Sequence, residues 1–257
     1  MEGIDIVIPV FNEGENIIQV LEAFRQHVKS PFRVLICYDF EEDDTLTAIA
    51  SYPHRESMDI VLVRNPGRGP HSAIMAGLRA SKAPAVLSWM GDDDFNAHHI
   101  DPMVEKFKEG YDIVTGGRFM PGGCMVGCVW YKALLTRTAS FTLRHLARLP
   151  VHDATNGVRL FSRRLIDSVE IESNLAFLFT FEMMVKCVRL GLPVYELPVA
   201  WFERKGGVSK FKVLGWIGWY LPWYFYAFAT TWLGRGPKHV KLKPGVTLES
   251  VLNSRPG

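Results

Sequence analysis

The 257-residue chain reads as an α/β protein with a mostly parallel central sheet and helices on both faces. Short apolar runs bounded by turn residues alternate with segments whose apolar residues recur at helical spacing. Two of those runs end in crowded acids, at residues 39–44 and 92–94. In parallel sheets ligands bind beyond the carboxyl ends of the strands, where such loops lie. The length suits one large domain or two small ones, and no internal repeat or low-complexity linker interrupts it.

Residues 4–10 form the first apolar run, closed by Phe11-Asn12-Glu13-Gly14, and Ile17, Ile18, Leu21 and Phe24 then predict a helix over 15–28. A strand over 32–38 runs into Asp39-Phe40-Glu41-Glu42-Asp43-Asp44-Thr45, followed by a second helix to about residue 51 and a strand over 59–63. The loop 64–70 carries Gly67 and Gly69 before a helix through Ala80. It either cradles a phosphate at that helix start or is a plain Gly/Pro turn.

The fourth run, 83–90, is short, uncharged after Lys82 and reads as a buried strand leading into Gly91-Asp92-Asp93-Asp94. Like charges this close cost stability unless water or a cation screens them. In an extended segment Asp92 and Asp94 share one side and Asp93 takes the other. That pair suits Mg²⁺ or Mn²⁺, whose remaining ligands are waters and phosphate oxygens, and the competing reading is a solvated acidic turn.

Beyond it come a helix over 102–109, a strand over 111–115, and the flexible stretch 116–123 with Arg118 as its one cation. An amphipathic helix or helix pair covers 129–149, with Arg137, Arg144 and Arg148 expected on a solvated face. A polar turn at 151–157, a strand over 158–161, a helix over 175–190 bearing Glu182 and a last strand over 193–202 follow. Residues 203–210 close the unit 1–210.

Residues 213–233 contain no charge and nine aromatics, with Pro222 in the middle and Lys or Arg on both flanks. Trp and Tyr prefer the headgroup level, so a membrane-interface helix over 211–235 ranks ahead of a spanning helix and a core or dimer-contact helix. The polar tail 236–257 is expected to wrap the surface or be disordered.

Lys and Arg number 29 against 27 acids, a net charge of +2, which excludes a nucleic-acid binder driven by bulk charge. The four cysteines complete no zinc set and read as free thiols of a reducing compartment. The amino terminus lacks a basic region followed by an apolar core. The expected location is the cytoplasm, peripheral on the cytosolic face of a membrane.

Taken together these motifs resemble the family 2 glycosyltransferases of GT-A fold, in particular those that move a sugar to a polyprenyl phosphate. The resemblance covers roughly residues 4–210. Ile8-Pro9-Val10-Phe11-Asn12-Glu13 matches the opening motif, which implies Pro9, Phe11 and Glu13 in the nucleotide pocket. Asp39 with Asp43 and Thr45 matches the acidic motif after the second strand, so Asp39 is implied to face the base or ribose. Tyr38 stands where the family has a first aspartate, which leaves guanine and uracil both open. Asp92-Asp93-Asp94 matches the Asp-x-Asp signature: Asp92 and Asp94 are the implied metal ligands, Asn96 a third, and Asp93 a donor-site residue. Gly117-Arg118 and the turn from Asp153 to Arg159 match two downstream motifs, which implies Asp94, Asp153 and Arg118 as catalytic. Arg204 and Lys210 match the basic loop that closes over phosphates. For each cation the competing reading is a surface ion pair.

The resemblance implies an inverting, metal-dependent hexosyl transfer from a sugar nucleotide, of GDP-mannose or UDP-glucose type, to a polyprenyl-phosphate acceptor. On the residues alone a saccharide hydroxyl acceptor remains open, with Asp153, His152 and Glu182 as candidate bases and Arg118 and Arg159 as phosphate clamps. A dinucleotide dehydrogenase would need G-x-G-x-x-G after the first strand, where Phe11-Asn12-Glu13 stands. A nucleotidyltransferase would need a Gly-rich basic signature there. A non-catalytic membrane adaptor has no use for Asp92 and Asp94.

Overall fold

The computed structural model describes residues 3–203 and 213–254. The first half alternates as the periodicity predicts: β1 (Ile4–Pro9), α1 (Gly14–His27), β2 (Phe32–Tyr38), α2 (Asp44–Ala50), β3 (Ile60–Arg64), α3 (Pro70–Ala80), β4 (Ala85–Ser88) and α4 (Ile100–Lys108). The second half runs β5 (Ile113–Gly117), β6 (Cys124–Val126), α5 (Trp130–His145), β7 (Arg159–Ser162), α6 (Arg163–Ser168), α7 (Leu178–Leu190), β8 (Val194–Pro198) and β9 (Ala200–Phe202). α8 (Val213–Trp232) and α9 (Leu248–Asn253) end it.

Among the described residues seven strands form one sheet in the order β3-β2-β1-β4-β7-β5-β8, and β6 pairs with β9 beside it. β1 is parallel to β2 and β4, and β2 to β3, so their carboxyl ends share one edge. β7 runs antiparallel to β4 and β5, which brings the turn before it to that same edge as the end of β5. Alternation along the strands splits the core in two. Val7, Leu35, Val86 and Ile113 face α3, α5 and α7, whereas Ile6, Ile8, Val34, Ile36 and Leu87 face α1 and α4. α3 lies close on the sheet: a Cβ on Gly77 would sit 2.5 Å from a methyl of Val7 and 2.7 Å from the Cys37 sulfur.

Three differences from the expected elements matter. The run 83–90 is strand only over Ala85–Ser88; Trp89 N–H still reaches Val7 O, then the chain turns with Asp93 N–H on Met90 O. The aspartates therefore sit on a turn rather than on a strand. The last expected strand breaks at Val199, so that β8 joins the main sheet and β9 leaves it to pair with β6, just beyond the stretch expected to be flexible. The tail wraps the surface: Val169 and Leu242 form a bridge, and Val240 and Val251 are buried.

α8 is seated on the domain. Phe181 and Tyr220 stack at 6.0 Å, Tyr224 Oη donates to Thr142 Oγ1 at 2.7 Å, and Arg189 Nη2 donates to Tyr226 O at 2.6 Å. Beneath it Lys186 and Glu182, both fully buried, meet at 2.6 Å, and the ammonium lies 4.9 Å from the Trp223 ring centroid. Tyr220, Trp223, Tyr224, Tyr226 and Phe228, five of the eight aromatics whose side chains are described, pack against the core. Among the described residues no helix is long and apolar enough to cross a membrane.

One buried charge fastens the edge opposite the site. Asp5 is fully buried and accepts from Arg33 Nε (2.8 Å), Ser81 Oγ (2.7 Å), Lys82 N–H (2.8 Å) and Ala83 N–H (3.0 Å). Burial pulls its carboxyl up, but Arg33, Ser81 and the two amides outweigh this and lower it to about 2. Its stabilisation is therefore complete above the unfolded value near 4 and is lost as pH falls through 2. Asp5→Ala is expected to cost about 2–4 kcal/mol in urea unfolding at pH 7. The deficit should shrink below pH 3, and a neutral substitution would refute the anchor role.

Candidate active site

The loops at the carboxyl edge are tied to one another by carboxylates that accept backbone N–H groups. Asn12, in the left-handed region at φ 52°, donates its N–H to both oxygens of buried Asp43, and Asp43 also caps α2 through Thr45 N–H. Glu13 N–H donates to Thr45 Oγ1 at 3.0 Å and Gly14 N–H to Asp44 Oδ1 at 3.0 Å. The opening motif is thus bolted to the loop after β2, with Pro9 ending β1, and Phe11 packs edge-on against Phe40 at 5.5 Å. Glu13 accepts from Asn16 Nδ2 and lies against Gly91, where a Cβ would sit 3.5 Å from Glu13 Cγ. This brings the first loop beside the aspartate turn.

Asp39 points into the loop after β3: Asn65 Nδ2 donates to it at 2.6 Å and Gly69 N–H at 2.7 Å. Asn65 also accepts from Gly67 N–H and Ser72 Oγ, so hydrogen bonds of its own hold this loop, as the turn reading requires.

The aspartate turn has a buried member and two half-buried ones. Trp89, fully buried, donates its indole N–H to Asp93 O at 2.9 Å and fixes the turn from below. Asp93 is 6% exposed, and Asn96 donates to it from both its backbone and its side chain. Asp92 and Asp94 lie at the surface side, the division expected of a strand but here produced by a turn. Asn96 is corrected as a third metal ligand. It is 1% exposed, its amide N–H groups serve Asp93 and Ala200 O, and its carbonyl accepts Ala200 N–H at 3.0 Å. It joins the turn to β9 instead.

Two carboxylates on one turn are the hard-oxygen set that Mg²⁺ or Mn²⁺ takes when phosphate and water supply the rest, so the donors fit such an ion. Among the described residues no group of three or more His, Cys, Asp and Glu is placed to hold one without outside ligands.

At the far side of the edge half-buried Arg118 pairs with fully buried Asp153: Nε to Oδ2 at 2.6 Å, Nη2 to Oδ1 at 3.0 Å, with Nη2 also on Thr155 Oγ1 at 2.8 Å. Burial raises the Asp153 carboxyl, but the Arg118 charge and hydrogen bonds from Arg118 and Thr155 more than offset this and hold it below the usual range. Glu196 accepts His152 N–H at 2.7 Å and Asp153 N–H at 2.8 Å, reaching them across Gly117, where a Cβ would sit 2.4 Å from its Oε1. Two further candidates leave the site. Arg159 is fully buried and donates to Thr115 Oγ1, Thr180 O and Ala154 O, with burial lowering its guanidinium to about 10. Glu182 is the buried partner of Lys186. Neither can meet an acceptor. Arg204 and Lys210 lie outside the described residues.

Beside Arg118 opens a cavity of about 550 Å³ that the motifs do not reveal. Arg118, Arg137 and Arg144 line it together with Phe119, Met125 and Phe141. Ser140 lines it too, 2% exposed, its hydroxyl without a hydrogen-bond partner. Arg137 and Arg148 are exposed, as the solvated face requires, and Arg144 is half-buried; Arg137 and Arg144 in addition border the cavity. The signal that could have marked them is the absence of any acid between residues 113 and 152.

The family model described as "Glycosyl transferase family 2" matches residues 5–169. The chain is 27% identical to polyprenol monophosphomannose synthase of Mycolicibacterium smegmatis over 212 residues, 80% of this chain and 79% of the relative. It is 30% identical to an uncharacterised glycosyltransferase of Mycobacterium tuberculosis over 210 residues, 81% and 89% of the two chains. Among solved structures, glucosyl-3-phosphoglycerate synthase from Mycobacterium tuberculosis with UDP superposes at a TM-score of 0.65 and 16% identity, covering 89% of this chain and 80% of that one. The same enzyme with Mn²⁺, UDP and phosphoglyceric acid gives 0.62 at 17% identity, over 89% and 78%. These structures share the fold.

Burial, and then the charges of Asp92 and Asp94, push the Asp93 carboxyl up to about 7 against the hydrogen bonds from Asn96. A raised group favours the folded state fully below its unfolded value near 4, and that contribution is lost as pH rises through 7. Relative to Asp93→Asn, which cannot ionise, the native protein is expected to lose up to about 4 kcal/mol between pH 4 and pH 8 in urea melts. A difference that stays flat with pH would refute the buried acid.

Proposed function

This chain belongs to glycosyl transferase family 2, and from that premise we propose that it moves a hexose from a sugar nucleotide to a polyprenyl phosphate with inversion at the anomeric carbon. The observation that carries this reading is the cavity beside Arg118, cationic and apolar at once, with the orphaned Ser140 hydroxyl in its wall. An anionic head on an apolar chain matches that lining; a free saccharide, polar throughout, does not. The name of the mycolicibacterial relative, polyprenol monophosphomannose synthase, supports the same acceptor class.

The donor side follows from the edge loops. Phe11 and Glu13 line the pocket for the nucleotide, with Pro9 setting the end of β1 beneath them, while Asp39 keeps the loop after β3 in place. Asp92 and Asp94 would hold Mg²⁺ or Mn²⁺, in keeping with the Mn²⁺ and UDP found together in the glucosyl-3-phosphoglycerate synthase structure. When bound, such an ion supplies Lewis-acid stabilisation of the charge that builds on the departing nucleoside diphosphate. Asp93 and Asn96 position the pair. Arg204 and Lys210 keep, from the family motif, the expectation of closing over the diphosphate.

The acceptor side follows from charge. A phosphate monoester is anionic near neutral pH, with a second pKa of about 6, and needs no base to attack C1. Asp153 supports this: both of its oxygens are occupied by Arg118 and Thr155, and a carboxyl held low is a weak proton acceptor. Its role is to fix Arg118. Arg137 and Arg144 take the phosphate in place of the buried Arg159.

Two measurements test the halves separately. With a panel of sugar nucleotides and polyprenyl phosphates read by mass, Asp94→Asn is expected to abolish transfer at unchanged or slightly raised stability, since like-charge repulsion is relieved. Full activity of that variant, or activity undiminished by chelator, would refute the metal assignment. On the acceptor side, Arg137→Ala should chiefly raise KM for the lipid, and Asp153→Asn should lower kcat only modestly. A loss of about 10²-fold or more in kcat for Asp153→Asn is the mark of a general base and would favour a hydroxyl acceptor.

A further inference from the structure

We propose that α5 and α8 together form a face by which the protein docks on an anionic lipid surface. α5 is inverted relative to an ordinary surface helix. Its buried side carries Ser140 and Leu143, while Trp130, Leu134 and Phe141, spaced four and seven apart, are 75%, 59% and 61% exposed. α8 repeats the pattern: its inner side packs on α5 and α7, and Leu221, Phe225 and Trp232 are 42%, 62% and 61% exposed on one stripe. The two helices touch, since Tyr224 of α8 donates to Thr142 of α5, and at the end of α5 Trp232 Nε1 donates to Leu146 O at 2.9 Å while the Arg148 guanidinium lies 5.7 Å from the Trp232 ring. Both helices are already seated, so the fold does not require these side chains. Apolar surface on this scale marks an interaction site.

Charge selects the occupant. The chain holds 27 acids, yet none lies between residues 113 and 152 or between 204 and 248. Arg137 and Arg144 flank the α5 stripe at helical spacing, Arg148 follows the end of that helix, and Arg235 and Lys238 follow α8. Tryptophan at headgroup depth with a cationic border is the arrangement that binds anionic lipid. A second copy fits poorly, because a two-fold contact of this face on itself would set cations against cations with no acid to answer them. The cavity wall includes Arg137 and Phe141 of the same helix, so a docked protein would receive a lipid acceptor from the bilayer. Docking itself needs no acceptor chemistry and stands or falls apart from the transferase reading.

The test uses the full chain and vesicles without polyprenyl phosphate, made of phosphatidylcholine alone or with about 30% phosphatidylglycerol. Flotation is expected to recover about tenfold or more protein with the anionic vesicles, and rising salt should weaken that recovery without abolishing it. Trp130→Glu with Leu134→Glu should lower recovery about tenfold while the melting temperature and turnover of a water-soluble short-chain acceptor stay unchanged. Phe225→Ser, on the other helix, should show the same loss and covers the case in which the α5 variant misfolds. Equal recovery with both vesicles, recovery indifferent to these variants, or a concentration-dependent dimer that they dissolve while vesicles stay bare would each overturn the proposal. Loss of transfer with docking intact would instead count against the acceptor assignment alone.

Discussion

Carboxylates crowd one edge of the sheet, and their mutual repulsion is the constraint around which that edge is built. Asp39, Asp43, Asp44, Asp93, Asp153 and Glu196 all accept hydrogen bonds from backbone N–H groups or from Asn, Thr and Arg side chains. Apart from the Asn96 bonds to Asp93, which close a single turn, these bonds tie distant segments together, so that the acids, instead of pushing the loops apart, hold them in register. Asp92 and Asp94 stand at the surface side of this arrangement, flanking an Asp93 whose carboxyl burial raises to about 7. That outer pair presents hard oxygen donors of the kind a divalent ion takes.

The cavity side of that edge is governed by a different balance. Arg118 is neutralised by Asp153 inside the protein, so the cations that bear on the cavity are those of α5, a helix without a single acid. The same helix shows apolar side chains to the outside. A surface of this kind would be a liability in water, and it becomes intelligible if lipid lies on one side of it and a lipid headgroup on the other. Asn96 links the two halves, since it holds Asp93 with one end and β9 with the other, and β9 pairs with the β6 strand that lines the cavity.

Much of the sheet was legible from the residues alone because its signals are local. The apolar runs, the helical spacing of Ile17, Leu21 and Phe24, and the acids after the second and fourth runs each declare themselves within about ten residues. Boundaries were less so: the strand before the aspartates stops at Ser88 because its pairing ends there, which no apolar count reveals. β6 is three residues long, and it exists only because β9 lies beside it.

The sequence by itself determined the alternation of strands and helices, the motif loops and the pairing of Asp92 with Asp94, since composition and spacing carry these. Only the tertiary structure decided which polar groups are spent on holding the fold. Arg159 and Glu182 carry the same chemistry on paper as Arg137 and Asp94. Burial and hydrogen-bond partners distant in the sequence separate the first set from the second, and that distinction is a property of packing rather than of any local pattern.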